Sequence, residues 1–165
     1  MPYYPGSFLV ARTVLQDPNF RESVVLLLQH SEEGAFGLVV NRPASIKGLP
    51  FPVFAGGPCQ AQGLLMLHGH TEWIDASELD DGVAPGVYLG DAACLKLATE
   101  SPEGAELRYR VFAGYAGWGP GQLETELAAG AWSIVPATGA VLFEVPVEEI
   151  WDRLVPPKIP QPSLN

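Results

Sequence analysis

The chain has 165 residues, 47% of them hydrophobic, which is enough to bury a sizeable core in one domain, expected over residues 1–155. Nine Lys and Arg against 19 Asp and Glu leave a formal net charge of −10, with the cations scattered from Arg12 to Lys158. Such a surface repels phosphate backbones and disfavours direct nucleic acid binding; the longest apolar runs, such as residues 24–28, are too short to cross a bilayer, and no signal-peptide pattern opens the chain, so a cytoplasmic protein without membrane contact is expected.

Residues 8–15 are predicted as a first strand, followed by a turn at Asp17-Pro18-Asn19-Phe20, where Pro18 fixes φ and Asp17 and Asn19 bond nearby backbone. Residues 23–30 form a second strand, and its run Val24-Val25-Leu26-Leu27-Leu28 has the unbroken apolar character of a strand covered on both faces. A short loop, Ser31-Glu32-Glu33-Gly34, turns it into a third strand over residues 35–40, giving a hairpin that ends at Asn41-Arg42-Pro43. Residues 44–52 are dense in Pro and Gly and are predicted as loop. Residues 53–55 then lead into Gly56-Gly57-Pro58, residues 63–68 form another strand, and residues 71–83 are acidic and mixed. A strand over 86–90 ends at Asp91, which is placed to cap a helix over 92–100.

Residues 108–113 alternate as a strand and meet Gly114-Tyr115-Ala116-Gly117-Trp118-Gly119-Pro120-Gly121-Gln122-Leu123-Glu124, read as a bend into a helix over 122–129 with Leu123 and Leu127 on one face. Pro120 suits the first helical position, Glu124 and Glu126 suit the positive end of the helix dipole, and Gly130 suits its stop. Residues 131–136 and 140–144 are predicted as short strands, and 146–154 as a last helix burying Val147, Ile150 and Leu154. The four prolines of residues 156–165 predict an extended or mobile tail. Strands outnumber helices without alternating with them, which predicts an α+β domain.

The glycine-rich bend supports two readings. Its backbone N–H groups could approach a ligand at the helix N-terminus with Tyr115 and Trp118 as walls, or its glycines could supply positive φ while the aromatics fill the core. Neither a dinucleotide fingerprint nor a Walker motif occurs. Asn41-Arg42-Pro43 also divides: a fork of donors for a carboxylate or phosphate, or a structural cap with Asn41 on the turn backbone and Arg42 paired to an acidic neighbour such as Glu124.

His68 and His70, two apart on a strand, could share a metal ion if His30, Glu72, Asp75 or Asp91 closed the shell. The alternative makes His68 a satisfied buried group and places His70 in an exposed turn. A triad of Cys59, His68 and Asp91 lacks a nucleophile elbow, and Asp80 and Asp81 have the character of a solvated charge run. Cys59 and Cys94 are too far apart for a Cys-x-x-Cys site and are expected as small buried hydrophobes, reduced in a cytosolic setting.

Asp17-Pro18-Asn19-Phe20, Ser23 to Leu27 with His30, Gly34 to Pro43, Gly56-Gly57-Pro58, Leu67-His68, Gly114 to Glu124, Trp132, Leu142-Phe143 and Trp151 together resemble the YqgE/AlgH family. The resemblance spans nearly the whole chain. It implies an α+β fold whose strongly bent, bifurcated β-sheet forms a pseudo-barrel flanked by a few helices, and a label of transcriptional regulator with no catalytic residues to carry across. With neither a helix-turn-helix signature nor a basic face, regulation is expected to be indirect. Cys59 departs from the family pattern, which has an aliphatic residue after Gly-Gly-Pro, and this argues against cysteine catalysis.

The expectation is therefore a non-enzymatic binding or regulatory module. Its candidate cleft is bounded by Asn41, Arg42, Gly57, His68, Tyr115, Trp118 and Gly119, with a small anionic ligand or a protein as partner and no metal, cofactor or catalytic residue. The alternative is a hydrolase-like or metal-dependent enzyme using His68 with a nearby carboxylate.

Overall fold

Residues 24–27 are fully buried, and they alternate between two different cores, which places their strand in the middle of a sheet covered on both sides. In the computed structural model, which describes residues 3–44, 46, 48–49, 51–74, 82–101 and 106–156, this strand is β2 (Val24–Ser31). It lies antiparallel between β1 (Ser7–Ala11) and β3 (Gly34–Val39). Asp75, Asp80, Asp81 and the proline-rich tail beyond residue 156 lie outside the described residues.

The sheet runs in the order β4 (Pro43–Ala44), β5 (Val53–Ala55), β8 (Tyr109–Trp118), β3, β2, β1 and β9 (Trp132–Pro136). A branch adds β6 (Cys59–His68) along β8 and β7 (Tyr88–Gly90) along β6. Strand β8 changes neighbours partway along its length. Its residues 116–118 pair antiparallel with β3, while residues 111–113 pair in parallel with β5. This split makes the sheet bifurcated, and the strands curl into a half-barrel with few helices.

Glycine makes the split possible. Gly57 has φ +149, and a Cβ there would lie 2.2 Å from the carbonyl carbon of Tyr115; Gly114 has φ +78, and its Cβ would lie 2.7 Å from the Gly57 oxygen. The two backbones cross in direct contact, which a side chain at either position would prevent.

Three apolar clusters hold the layers. Phe8, Val10, Leu26, Leu38, Phe112 and Leu142 centre the first, which is covered by α3 (Ile150–Leu154); Leu9, Val25, Leu27, Trp118, Leu123 and Trp132 centre the second, under α2 (Gln122–Ala128). The third joins Val53, Met66 and Val111 to Cys94 and Ala98 of α1 (Ala92–Glu100). Helices this short are marginal alone, whereas each large side chain fully buried contributes about 1.5–3 kcal/mol. The helices are therefore held by their buried faces.

The predicted hairpin, the Asp91 cap and the helix over 92–100 are present, with Asp91 accepting from the Cys94 N–H at 3.0 Å. Other expectations change. The first strand ends at Ala11, β6 begins at Cys59, and Pro43–Ala44 form an edge strand against β5 instead of leading straight into loop. The strand expected to stop at Ala113 continues through Gly114 to Trp118, because its far half gains a new partner in β3. Pro120 consequently falls in the following turn, and Gly121, at φ 76, takes the N-cap position. Residues 140–144 form a π-helical turn in place of a strand: only Leu142 is deeply buried, and the Phe143 carbonyl accepts from Arg110 at 3.3 Å. A short apolar run is compatible with either state by periodicity alone. The last helix opens with a 3-10 turn over Val147–Glu149 before α3.

Candidate functional site

Asn41 and Arg42 leave the end of β3 and turn back over the loop of residues 12–22. Asn41 Nδ2 donates to the Glu22 carbonyl at 2.9 Å, while its Oδ1 accepts from the Val24 N–H at 3.0 Å. Arg42 donates through Nη1 to the Asn19 carbonyl and through Nη2 to the Arg21 carbonyl at 2.8 Å. Ser23 Oγ donates to the Phe20 carbonyl at 2.6 Å. Four successive carbonyls, 19 to 22, thus receive side-chain donors in place of strand partners. Asp17 Oδ1 accepts from the Asn19 N–H at 2.8 Å and closes the turn from the other end.

The expected pairing of Arg42 with Glu124 does not occur. Glu124 accepts from His30 Nε2, and Arg42 holds backbone. Burial pulls the guanidinium pKa below its ordinary value and the charge of Asp17 opposes that shift; an arginine remains protonated regardless. Arg42 and Gly57 line one cleft of ≈ 150 Å³ with Asn19, Val39, Ala55 and Pro58.

Trp118 and Gly119 belong to different surroundings. The Trp118 ring stacks on Phe20 with centroids 5.9 Å apart and meets Trp132 edge-on at 6.1 Å. Both indole N–H groups donate to the same oxygen of Glu126, at 3.2 and 2.9 Å. The Gly119 N–H, which a ligand-binding turn would leave free, donates to Gln122 Oε1 at 3.0 Å. Trp118 borders a separate cleft of ≈ 250 Å³ beside Gln29, Ser31 and Glu33. Tyr115 is half-buried and packs edge-on against Phe36 at 5.4 Å.

His68 sits deeper still, with no exposed surface. Its Nδ1 accepts from the His70 backbone N–H at 3.1 Å, so the ring proton resides on Nε2, which faces Cys94 Sγ at 3.9 Å. His70 is also buried, contrary to the exposed turn expected for it: its Nε2 accepts from the Arg108 N–H at 2.8 Å and its Nδ1 donates to Glu72 at 2.9 Å. Trp73 stacks on it at 4.2 Å. Burial, followed by the neighbouring His70, lowers the His68 pKa, which favours the neutral ring; Glu72 and Asp91 oppose this. His30 completes the pattern, accepting at Nδ1 from the Tyr4 N–H at 3.2 Å and donating from Nε2 to Glu124.

Both nitrogens of each imidazole are therefore engaged internally, and the sulfur beside His68 is that of Cys94, whose thiol pKa is raised by burial. Asp91 is committed to the helix cap, and Cys59 is half-buried across from Tyr115, which leaves the imagined triad unassembled. Among the described residues no group of three or more His, Cys, Asp or Glu could hold a metal ion. The seven sequence-chosen residues thus occupy three settings: Arg42 and Gly57 in one cleft with Asn41 behind them, Tyr115 to Gly119 on β8 and its turn, and His68 in the interior. The carbonyls gripped by Arg42 lie 21 and 23 residues earlier, and the only sequence signal for them was the polar turn after Asp17.

Among the described residues no helix is long and apolar enough to cross a membrane. The sequence matches the AlgH-like family, DUF179, over residues 8–157. It is 40% identical over 166 residues to a UPF0301 protein of Streptomyces avermitilis, covering 91% of this chain and 84% of the relative. A UPF0301 protein of Myxococcus xanthus is 38% identical, with 90% and 86% covered. The solution structure of the AlgH protein from Pseudomonas aeruginosa superposes with a TM-score of 0.69 at 31% identity, covering 92% of this chain and 86% of that one. Protein DIP2367 from Corynebacterium diphtheriae gives a TM-score of 0.71 at 25% identity, with 98% and 90% covered. With a match running through almost every strand and helix described above, the chain belongs to the YqgE/AlgH family, also called UPF0301.

Proposed function

We propose that the protein is a non-enzymatic binding module that acts in regulation indirectly, by taking a small anionic ligand at the cleft of Arg42 and Gly57. One observation carries this reading. Arg42 lines an open cleft, spends two of its five N–H groups on backbone carbonyls, and has no carboxylate within ion-pair distance among the described residues. Its remaining donors suit a carboxylate or phosphate. The half-buried Gly57 also lines this cleft and offers backbone to a ligand there.

The internal engagement of all three histidines supports binding over catalysis, since a general base or metal ligand needs a lone pair that is free to act. A net charge of −10 supports an indirect route to any regulation of genes, because DNA phosphates would be repelled.

Native mass spectrometry of the purified protein, followed by titration of any released molecule under NMR observation, tests the proposal. Saturable shifts at the Arg42 side chain and the Gly57 amide are expected. A released molecule whose shifts avoid both positions would remove this cleft as the site.

A further inference from the structure

The loop of residues 12–22 borders a second cleft, of ≈ 170 Å³, lined by Arg12, Thr13, Gln16, Arg21, Glu22 and Trp151 among others. We infer that this cleft binds a phosphate monoester, with the phosphate between Arg12 and Arg21 and a small organic group against Trp151. It is distinct from the Arg42 cleft and uses none of the side chains assigned there.

The charge distribution is the first support. Three of the nine Lys and Arg of a chain with net charge −10, namely Arg12, Arg21 and Arg42, gather at this one loop. Arg12 and Arg21 are both exposed and both face the cleft. Arg12 is fixed at its root, where its backbone N–H donates to the Ala131 carbonyl at 2.9 Å, and its guanidinium makes no ion pair among the described residues. Two guanidinium groups beside one cavity suit a dianionic phosphate better than a single carboxylate charge.

Glu22 is the one anion in the wall, and it offers little competition. Its carboxylate stands 3.9 Å from Arg21 with side chains 58% and 60% exposed, so the pair is long and screened by solvent. A bound phosphate can displace it.

The frame is already set. Trp151 donates from Nε1 to the Ala11 carbonyl at 2.7 Å, which fixes the ring as a wall, and the carbonyls of residues 19–22 are held by Arg42, Ser23 and Asn41. Little ordering is left to accompany binding. The volume corresponds to about five or six water molecules of liquid, room for a phosphate with a small substituent.

The test is an NMR titration of the intact protein with phenyl phosphate, inorganic phosphate and benzoate. Phenyl phosphate should shift the Arg12 and Arg21 Nε–H signals and the Trp151 indole N–H together and saturably. Inorganic phosphate should shift the two arginines, and benzoate should bind more weakly than phenyl phosphate. The double variant Arg12→Gln, Arg21→Gln should weaken phenyl phosphate at least about tenfold, the loss of one or more charged hydrogen bonds. The charge-matched variant Lys96→Gln, Arg153→Gln should bind as the parent does. Linear, unsaturating shifts, equal weakening by both double variants, or benzoate binding as tightly as phenyl phosphate would each overturn the inference. Shifts confined to Arg42 and Gly57 would overturn it while supporting the other cleft.

Discussion

The segment 114–121 and the loop 12–22 with its clasp at 41–42 are both dense in turn-forming residues, yet they resolve their polar atoms in opposite ways. In the first, the glycines bring backbone against backbone and the tryptophan turns inward, so the indole N–H goes to Glu126 and the Gly119 N–H to Gln122. Both of these donors are consumed by neighbouring side chains. In the second, backbone carbonyls are satisfied by side chains, of which Arg42 carries more donors than the carbonyls use and keeps the surplus beside a cleft, while Arg12 and Arg21 border another. The surplus donors of the second segment are what single it out as the candidate for binding.

The largest effect that can break this comparison is at the glycine crossing. Gly57→Ala places a Cβ 2.2 Å from the Tyr115 carbonyl carbon at φ +149, and loss of about 4 kcal/mol or more is expected in denaturant unfolding. A loss under about 1 kcal/mol would show that the crossing is loose and that the structural assignment of the first segment is mistaken. Next comes the shared carboxylate. Glu126→Ala strands two indole N–H groups and should cost about 2–3 kcal/mol, while Glu126→Gln keeps the accepting oxygen and should cost about 1 kcal/mol or less. Equal losses from the two variants would mean that the charge, not the acceptor, matters there.

For the second segment, Arg42→Lys is the sharper probe. An ammonium cannot span the Asn19 and Arg21 carbonyls as a planar fork does, and a loss of about 1–2 kcal/mol is expected. Unchanged stability together with unchanged amide exchange at residues 19–22 would show that the fork does not hold the loop. Glu22→Gly should act in the opposite direction. Glu22 is the only non-glycine with positive φ among the described residues, at φ 57, and relief of that conformation should raise stability by about 0.5 kcal/mol, less the greater chain entropy of glycine.

These contrasts also explain what was legible beforehand. The apolar run at residues 24–27, the hairpin into β3 and the Asp91 cap are local signals, written in neighbouring residues, and each could be read directly. The switch of β8 from β5 to β3 was not, because a strand's period is the same whichever neighbour it meets. That one omission placed a bend at Gly114 and moved Pro120 into the helix. Arg42 was read either as a ligand fork or as a cap paired to an acidic neighbour, whereas the acceptors it holds are carbonyls, which carry no sequence identity. His70 was misplaced for a related reason: its burial depends on Trp73 folding over it and on the Arg108 N–H arriving from a distant part of the chain.

The last effect belongs to the interior histidine, and it is read as a dependence on pH. Burial and then His70 lower the His68 pKa from its ordinary 6.5, so the unfolded chain binds the proton more readily than the folded one. Stability contributed by the neutral ring is complete above 6.5, falls as the pH drops from there through the lowered folded value, and levels off below it. The informative quantity is the difference between the parent and His68→Gln, which isolates this ring. That difference should shrink as the pH is lowered from about 7 to about 4, because the parent alone carries the buried ring. Parallel stability curves would mean that His68 can take up a proton where it stands. The Nδ1 bond from His70 would then yield to protonation, and His68 could exchange a proton as a catalytic role requires.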